Sequence, residues 1–256
     1  MLEWRIEMEE FINKSPESLI KTLVEENCPQ DYNPIDYVVD IVRPLAINKL
    51  NNCLTECNSC DICEHNTKTL FKSNGFEPVL FIGETALLSQ KGTTYPFKGT
   101  EEESMFNKLF KAYGIDSTKI AWINVVNCCS HRIDASNKHQ KRAPTSKEIN
   151  ECNIFLDYAI KTLNPKMIII LGNIALNVFK SDTILKAHGK FIEVKGIHAM
   201  PTYSPSYFLD MKGIKSDSDI EEDKTDFCID MKNAFLWFNE TYPEENIFLN
   251  DNIKQY

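Results

Sequence analysis

Four short apolar runs, separated by stretches of helical periodicity, restrict this chain more than any other feature. Pro78-Val-Leu-Phe-Ile82, Ile120-Ala-Trp-Ile-Asn124, Met167-Ile-Ile-Ile-Leu171 and His198-Ala-Met-Pro-Thr202 read as buried strands, and residues 101–113, 145–163 and 173–180 read as helices between them. Strands that alternate with helices pair in parallel, because a parallel neighbour needs a crossover long enough to hold a helix. The expectation is an α/β fold of three layers, α/β/α, around a short, mainly parallel central sheet, with a helical extension at the amino end. Ligands of such folds sit beyond the carboxyl ends of the strands, here Gly83-Glu84, Asn124 and the stretch from Thr202 to Ser206.

Ser15-Pro16-Glu17 reads as a helix start, followed by apolar Leu19, Ile20, Leu23 and Val24. Residues 1–50 are therefore set apart as the extension, 51–245 as one domain and 246–256 as a tail. Gly213 to Asp226, which holds Asp217, Asp219, Glu221, Glu222 and Asp223, reads as a solvated acidic loop before a final helix around Phe227 to Phe238. With 43% apolar residues in 256, the chain has enough material for one core, which excludes a disordered or fibrous class. Its 28 basic side chains face 37 acidic ones, so any nucleic-acid surface has to be local. The acidic first ten residues and the absence of any apolar run near the ~18 residues that span a bilayer lead to the expectation of a cytoplasmic monomer without a membrane partner.

Nine cysteines in a chain of this length are too few for a disulfide scaffold. Cys57, Cys60 and Cys63 form two overlapping C-x-x-C pairs, and Cys128 and Cys152 stand much later. Thiolates hold both tetrahedral zinc and iron-sulfur clusters, and the spacing leaves both open. Cys28 and Cys228, isolated in apolar surroundings, read as packing residues.

Taken in order, these segments resemble the uracil-DNA glycosylase superfamily, in particular its iron-sulfur, family-four branch. The resemblance runs through Cys60-x-x-Cys63, VLFIGE at 79–84, Pro96-Phe97 with Gly99, INVVNC at 123–128, Arg142-Ala-Pro-Thr145 with Glu148 and Cys152, NPKMIIILGNIAL at 164–176 and PTYSPSYFL at 201–209. It implies DNA as the partner and a 4Fe-4S cluster on Cys60, Cys63, Cys128 and Cys152, with zinc as the alternative and Cys57 or Cys129 as substitute ligands. By the same resemblance, Phe97 stacks on a flipped base, Asn124 reads the amide edge of a pyrimidine, and Glu84 positions or activates water.

Two departures bear on the substrate. After Gly83-Glu84 the family usually carries a small residue, proline and glycine, then an acidic run, whereas this chain reads Thr85-Ala86-Leu87-Leu88-Ser89-Gln90-Lys91. The change implies a neutral polar pocket beside the C5 edge of the base, with Gln90 and Ser206 as further base contacts. The second motif is Ser204-Pro205-Ser206 in place of His-Pro-Ser, so a neutral hydroxyl stands where a charged donor assists the departing base. Asp210 replaces an arginine, and His188 stands near another arginine position before Gly189. The loop from Cys129 to Ala143 carries Arg132, Lys138, Lys141 and Arg142, which reads as a local cationic patch for the DNA backbone. The expected function is hydrolysis of the N-glycosidic bond of a flipped pyrimidine, a modified base such as those of viral genomes rather than uracil alone, with a use in defence. Ordinary uracil repair and a catalytically degenerate DNA- or protein-binding module are the alternatives.

Overall fold

The computed structural model describes residues 42–60, 62, 67–136 and 139–249. In chain order it contains α1 (Arg43–Glu56), β1 (Thr67–Thr69), β2 (Val79–Ala86), β3 (Gly92–Thr94), α2 (Glu101–Tyr113), β4 (Ile120–Cys129), β5 (His131–Ile133) and β6 (His139–Lys141). These are followed by α3 (Ser146–Leu163), β7 (Met167–Leu171), α4 (Asn173–Phe179), α5 (Ile184–Ala187), β8 (Ile192–Val194), β9 (Ile197–Thr202), α6 (Pro205–Asp210) and α7 (Asp217–Thr241). The expected α/β architecture is present. A seven-stranded sheet has the order β3-β1-β4-β2-β7-β9-β8, and β5 and β6 form a separate hairpin. The four inner strands β4, β2, β7 and β9 are mutually parallel, while β1 and β8 join them antiparallel.

Local chemistry sets the element ends. Thr100 caps α2 by accepting from the Glu103 amide, three glutamates complement the dipole in its first turn, and left-handed Gly114 closes it. Helix α3 starts on a reciprocal capping box between Thr145 and Glu148 and stops at left-handed Asn164. On one face of the sheet, the Phe81 ring packs edge-on against Phe106 and Phe110 of α2 and stacks with Phe235 of α7, with Trp122 beside it at 4.4 Å. Helix α3 packs on β4, and α1 packs on α3 with Leu50 and Leu54 buried. Helix α1 thus crosses residue 50, the expected edge of the amino-terminal extension, and the helix start at Ser15 lies outside the described residues.

The acidic stretch 213–226 is corrected: helix begins at Asp217, ten residues before the expected start at Phe227. Ser216 caps it by accepting from the Asp219 amide, and acids in a first turn are favourable there. Ile220, Asp223 and Phe227 recur at helical spacing on its buried face, and the Asp223 carboxylate is held by Lys215 and the Tyr207 hydroxyl. Among the described residues, no helix is long and apolar enough to cross a membrane.

Candidate active site at the carboxyl ends of the parallel strands

Of the four inner parallel strands, β2 comes first in the chain and has the second (β4) on one side and the third (β7) on the other, so the connections leave in opposite directions and a crevice opens above its end. Gly83 and Glu84 stand at that end, with Gly83 in register with Asn124 of β4. A Cβ on Gly83 would lie 2.3 Å from Asn124 Oδ1 and 3.3 Å from the Phe97 ring, so these two side chains close over the bare backbone just before Glu84. Only glycine leaves that space.

The Glu84 carboxylate points across the crevice to α4, where the Ile174 amide donates to Oε1 at 2.9 Å. Gly172 precedes that helix at φ +91°, and a Cβ there would fall 2.5 Å from Glu84 Oε1, so both the turn and the approach of the carboxylate require glycine. Burial pushes the Glu84 carboxyl above the usual range, with Asp210 adding to the push, while the Ile174 amide and Lys141 pull it down. A carboxylate shifted in this direction is suited to accept a proton near neutral pH.

Asn124 is 1% exposed. Its Nδ2 donates to Thr69 Oγ1 at 3.0 Å, and its Oδ1 is buried without a hydrogen-bond partner among the described residues. Phe97 adopts a left-handed backbone with φ +60°, an outlier for an aromatic residue and a known mark of ligand sites. The surrounding loop holds it: the Thr100 hydroxyl and amide both donate to the Phe97 carbonyl. The ring leans on Phe106 and Trp122. Beside it lies a cavity of about 270 Å³ lined by Lys72, Tyr95, Phe106, Phe110 and Trp122.

The other expected site residues are placed as follows. Ser204, 4% exposed, precedes α6 and makes no side-chain capping bond, so its hydroxyl is not spent on the helix. The Ser206 hydroxyl donates to Glu102 of α2 at 3.0 Å. Gln90 braces the Phe97 loop: its Oε1 accepts from the Leu87 amide and its Nε2 donates to the carbonyls of Tyr95 and Lys98. In the cationic loop, Arg132 donates to Gln140, Lys141 pairs with Asp210 at 2.6 Å, and Arg142 grips Glu148 with both terminal nitrogens. The Glu148 carboxyl is accordingly lowered, chiefly by Arg142. Lys138 lies outside the described residues. Arg142 therefore secures the start of α3, while Lys141 and Asp210 form an exposed pair whose charges are felt at Glu84.

Cys60, Cys128 and Cys152 are each buried, on the segment after α1, near the end of β4 and in α3, and α3 packs against both α1 and β4. Cys63 lies outside the described residues, and among those described no three ligating side chains gather closely enough to hold one metal ion. The donor set of buried thiolates from separate chain segments fits a soft metal centre that ties them together.

Two features went unnoticed in the sequence. Thr69, the partner of Asn124, belongs to a three-residue strand with no periodic signal. Asp230 of α7, 3% exposed, accepts from the Thr202 hydroxyl at 2.7 Å and meets His188 Nδ1 at 3.2 Å, so the end of β9 that leads to Ser204 is anchored to α7. His188, which stands near an arginine position of the family, is committed to this anchor.

A carboxylate at the switch point, a buried amide on the next strand and an aromatic held in a strained loop are the parts of a site that receives a planar heterocycle. The sequence model of the Uracil DNA glycosylase superfamily matches residues 73–227, more than half of the chain. A Type-4 uracil-DNA glycosylase of Thermotoga maritima is 28% identical over 159 residues, which cover 60% of this chain and 78% of that protein. Type-4 uracil-DNA glycosylases of Sulfurisphaera tokodaii and Archaeoglobus fulgidus are 23% and 24% identical, covering 76% and 84% of their own lengths. With Asn124 and Phe97 closing over Gly83 beside Glu84, and the family match running through all of these and more than half of the chain, the chain belongs to the uracil DNA glycosylase superfamily.

Proposed function

We propose that this DNA glycosylase hydrolyses the N-glycosidic bond of a pyrimidine flipped out of DNA, and that its preferred base carries a polar C5 substituent. The observation that carries the reading is the convergence of Asn124, with its orphaned buried acceptor, and Phe97 over the backbone that leads into Glu84. A base extruded from the stack lies against the Phe97 ring, and Asn124 hydrogen-bonds its amide edge. Glu84, oriented by the Ile174 amide, takes a proton from a water whose oxygen bonds to C1′. The C1′–N1 bond breaks with its electron pair going to the base, and the Ser204 hydroxyl donates to the base carbonyl on which that charge collects. Lys141, whose charge is felt at Glu84, is one of the loop cations that would meet the DNA backbone.

Cys60, Cys63, Cys128 and Cys152 would hold a 4Fe-4S cluster, which supplies a covalent tie between chain segments and no chemistry to the hydrolysis. The preference for a modified base rests on the neutral Leu88-Ser89 in place of the acidic run and on Ser204, Gln90 being spent on the Phe97 loop rather than on a base, and destruction of modified phage DNA is the use proposed for it.

The test is incubation of the purified protein with DNAs containing uracil, 5-hydroxymethyluracil and other C5-modified pyrimidines, with mass analysis of released bases and scoring of abasic sites. Faster release of a C5-polar base than of uracil is expected. Efficient release of uracil with none of the modified bases would leave ordinary uracil repair as the function. The same preparation, made without oxygen, should be brown and contain iron, and a colourless zinc protein would overturn the cluster.

A further inference from the structure

We infer that Asp230 and Glu102 are positioning residues for base release: through the hydroxyls of Thr202 and Ser206 they fix, from both sides, the segment that carries Ser204. The inference rests on the reading that Ser204 donates to the departing base.

A neutral donor supports charge on a leaving group best when it is already in place as the bond breaks, because a group that must reorient during the reaction loses part of what its bond contributes. The segment 202–206 is built to keep Ser204 in place. Two residues before it, the Thr202 hydroxyl donates to Asp230 Oδ2 of α7 at 2.7 Å. Two residues after it, the Ser206 hydroxyl donates to Glu102 Oε1 of α2 at 3.0 Å. All four of these residues are at most 7% exposed, so water competes little for either bond. Between the two ties, Pro205 has its φ fixed by its ring and restricts Ser204 to the extended backbone it adopts, φ −82° and ψ 137°. Ser204 stands in the middle, and its own hydroxyl makes no capping bond.

The same segment is tied to the turn beside Glu84. The Thr202 carbonyl accepts from the Gly172 amide at 3.0 Å, and Gly172 is the residue whose Cβ would fall 2.5 Å from the Glu84 carboxylate. Thr202 thus has its hydroxyl on α7 and its carbonyl on the turn against Glu84, which places the Ser204 donor relative to that carboxylate. Asp230 has little room to swing: a Cβ on Gly189 would lie 2.7 Å from its Oδ1, and His188 Nδ1 stands 3.2 Å from its Oδ2. Buried carboxylates are tolerated only where they are hydrogen-bonded, and here two of them, from helices on different parts of the chain, take the hydroxyls on either side of Ser204.

The experiment measures single-turnover release from DNAs containing uracil, 5-hydroxymethyluracil or 5-hydroxymethylcytosine, on whichever base wild type releases fastest, with DNA affinity measured alongside. Wild type is compared with Thr202→Val, Thr202→Ser, Ser206→Ala and Ser204→Ala, and the first three are repeated in the Ser204→Ala background. Ser204→Ala should slow release by about 10²-fold, the usual worth of one preorganised donor. Thr202→Val and Ser206→Ala should each slow it by about tenfold, since a displacement of about 1 Å can cost up to about 10²-fold, with DNA affinity unchanged and the rate restored in Thr202→Ser. In the Ser204→Ala background neither should slow release further, because the donor they position is gone. Losses that multiply with that of Ser204→Ala would reduce the two bonds to packing and overturn the inference while leaving the Ser204 reading intact. Release by Ser204→Ala at the wild-type rate would remove the Ser204 reading, and absence of release by wild type would remove the glycosylase reading; the inference falls with either. Should Thr202→Val or Ser206→Ala fail to fold, Asp230→Asn and Glu102→Gln keep an accepting oxygen with a weaker, neutral bond. Their smaller loss should likewise vanish in the Ser204→Ala background, and an equal loss in both backgrounds overturns the inference.

Discussion

Replacing Glu84 by Gln separates charge from shape at the centre of the site. The amide oxygen of the new side chain still accepts from Ile174 at the same 2.9 Å geometry, so the crevice between β2 and α4 keeps its form and only the negative charge is lost. General-base groups are typically worth roughly 10²- to 10⁴-fold in rate, or about 3–5 kcal/mol of transition-state stabilisation. Base release should drop by that factor while binding to DNA is retained. Stability should change in the opposite direction. Burial raises the Glu84 pKa from its ordinary 4.5, so the folded state binds the proton more tightly than the unfolded one. The stability this proton confers is fully present below pH 4.5 and is lost as the pH rises through the raised value, so the ionised carboxylate is a burden at neutral pH that Gln does not carry. The variant should therefore melt above wild type at pH 8, by about 2–4 °C for each kcal/mol of desolvation relieved, and together with it at pH 4. Wild-type activity should rise with pH through the same raised value. Single-turnover base release, gel-shift binding and calorimetry at the two pH values measure all of this. Release within tenfold of wild type, or a lower melting temperature at pH 8, would refute the assignment.

Two other substitutions probe the neighbours of that carboxylate. Gly83→Ala would drive a methyl to within 2.3 Å of Asn124 Oδ1, so the amide or the Phe97 ring has to give way; an overpacking cost of about 1–3 kcal/mol should appear as a lower melting temperature with base release abolished, and wild-type behaviour in both assays would disprove the close contact. Lys141→Ala removes a cation that lowers the Glu84 pKa and leaves Asp210, which raises it, without this counter-charge. The rising limb of the pH–rate profile should then move to higher pH at every DNA concentration, and a change confined to KM would assign Lys141 to phosphate contact alone.

The layered fold was legible because its four inner strands are continuous apolar runs, buried on both faces, and its helices carry their own start signals, such as Thr145 with Glu148 three residues on. Glu84 and Asn124 were legible because each closes an apolar run read as a strand; β2 and β4 in fact continue past them to Ala86 and Cys129, but the pairing with β7 stops at Ile82 and leaves them at the opening. Helix α7 was misplaced because a stretch of alternating acids looks solvated in isolation, and only the tertiary partners of Asp223 and Asp230 make those carboxylates a buried face. The cationic loop was legible as composition but not as wiring. Arg142 and Lys141 find their carboxylates six and 69 residues away, and the second distance is set by the fold alone. Thr69 was invisible because a three-residue strand has no period, and its contact with Asn124 spans 55 positions.

Loss of the second-motif histidine makes the rest of the site more informative. As the C1′–N1 bond breaks, negative charge gathers on the base, and a charge-assisted hydrogen bond supports it about twice as well as a neutral one. Ser204 provides only the neutral bond. Nor is the deficit made up nearby: His188 is drawn away to Asp230, and Lys141 is paired with Asp210. On the proposed reading, part of the stabilisation comes from the substrate itself, through a base whose ring substituent spreads the developing charge or forms hydrogen bonds that uracil lacks. The neutral second motif and the loss of the acidic run after Glu84 are both consistent with that proposal. On the same proposal, the weak Ser204 donor favours bases that depart readily. A site of that kind would discriminate by leaving-group chemistry as well as by shape.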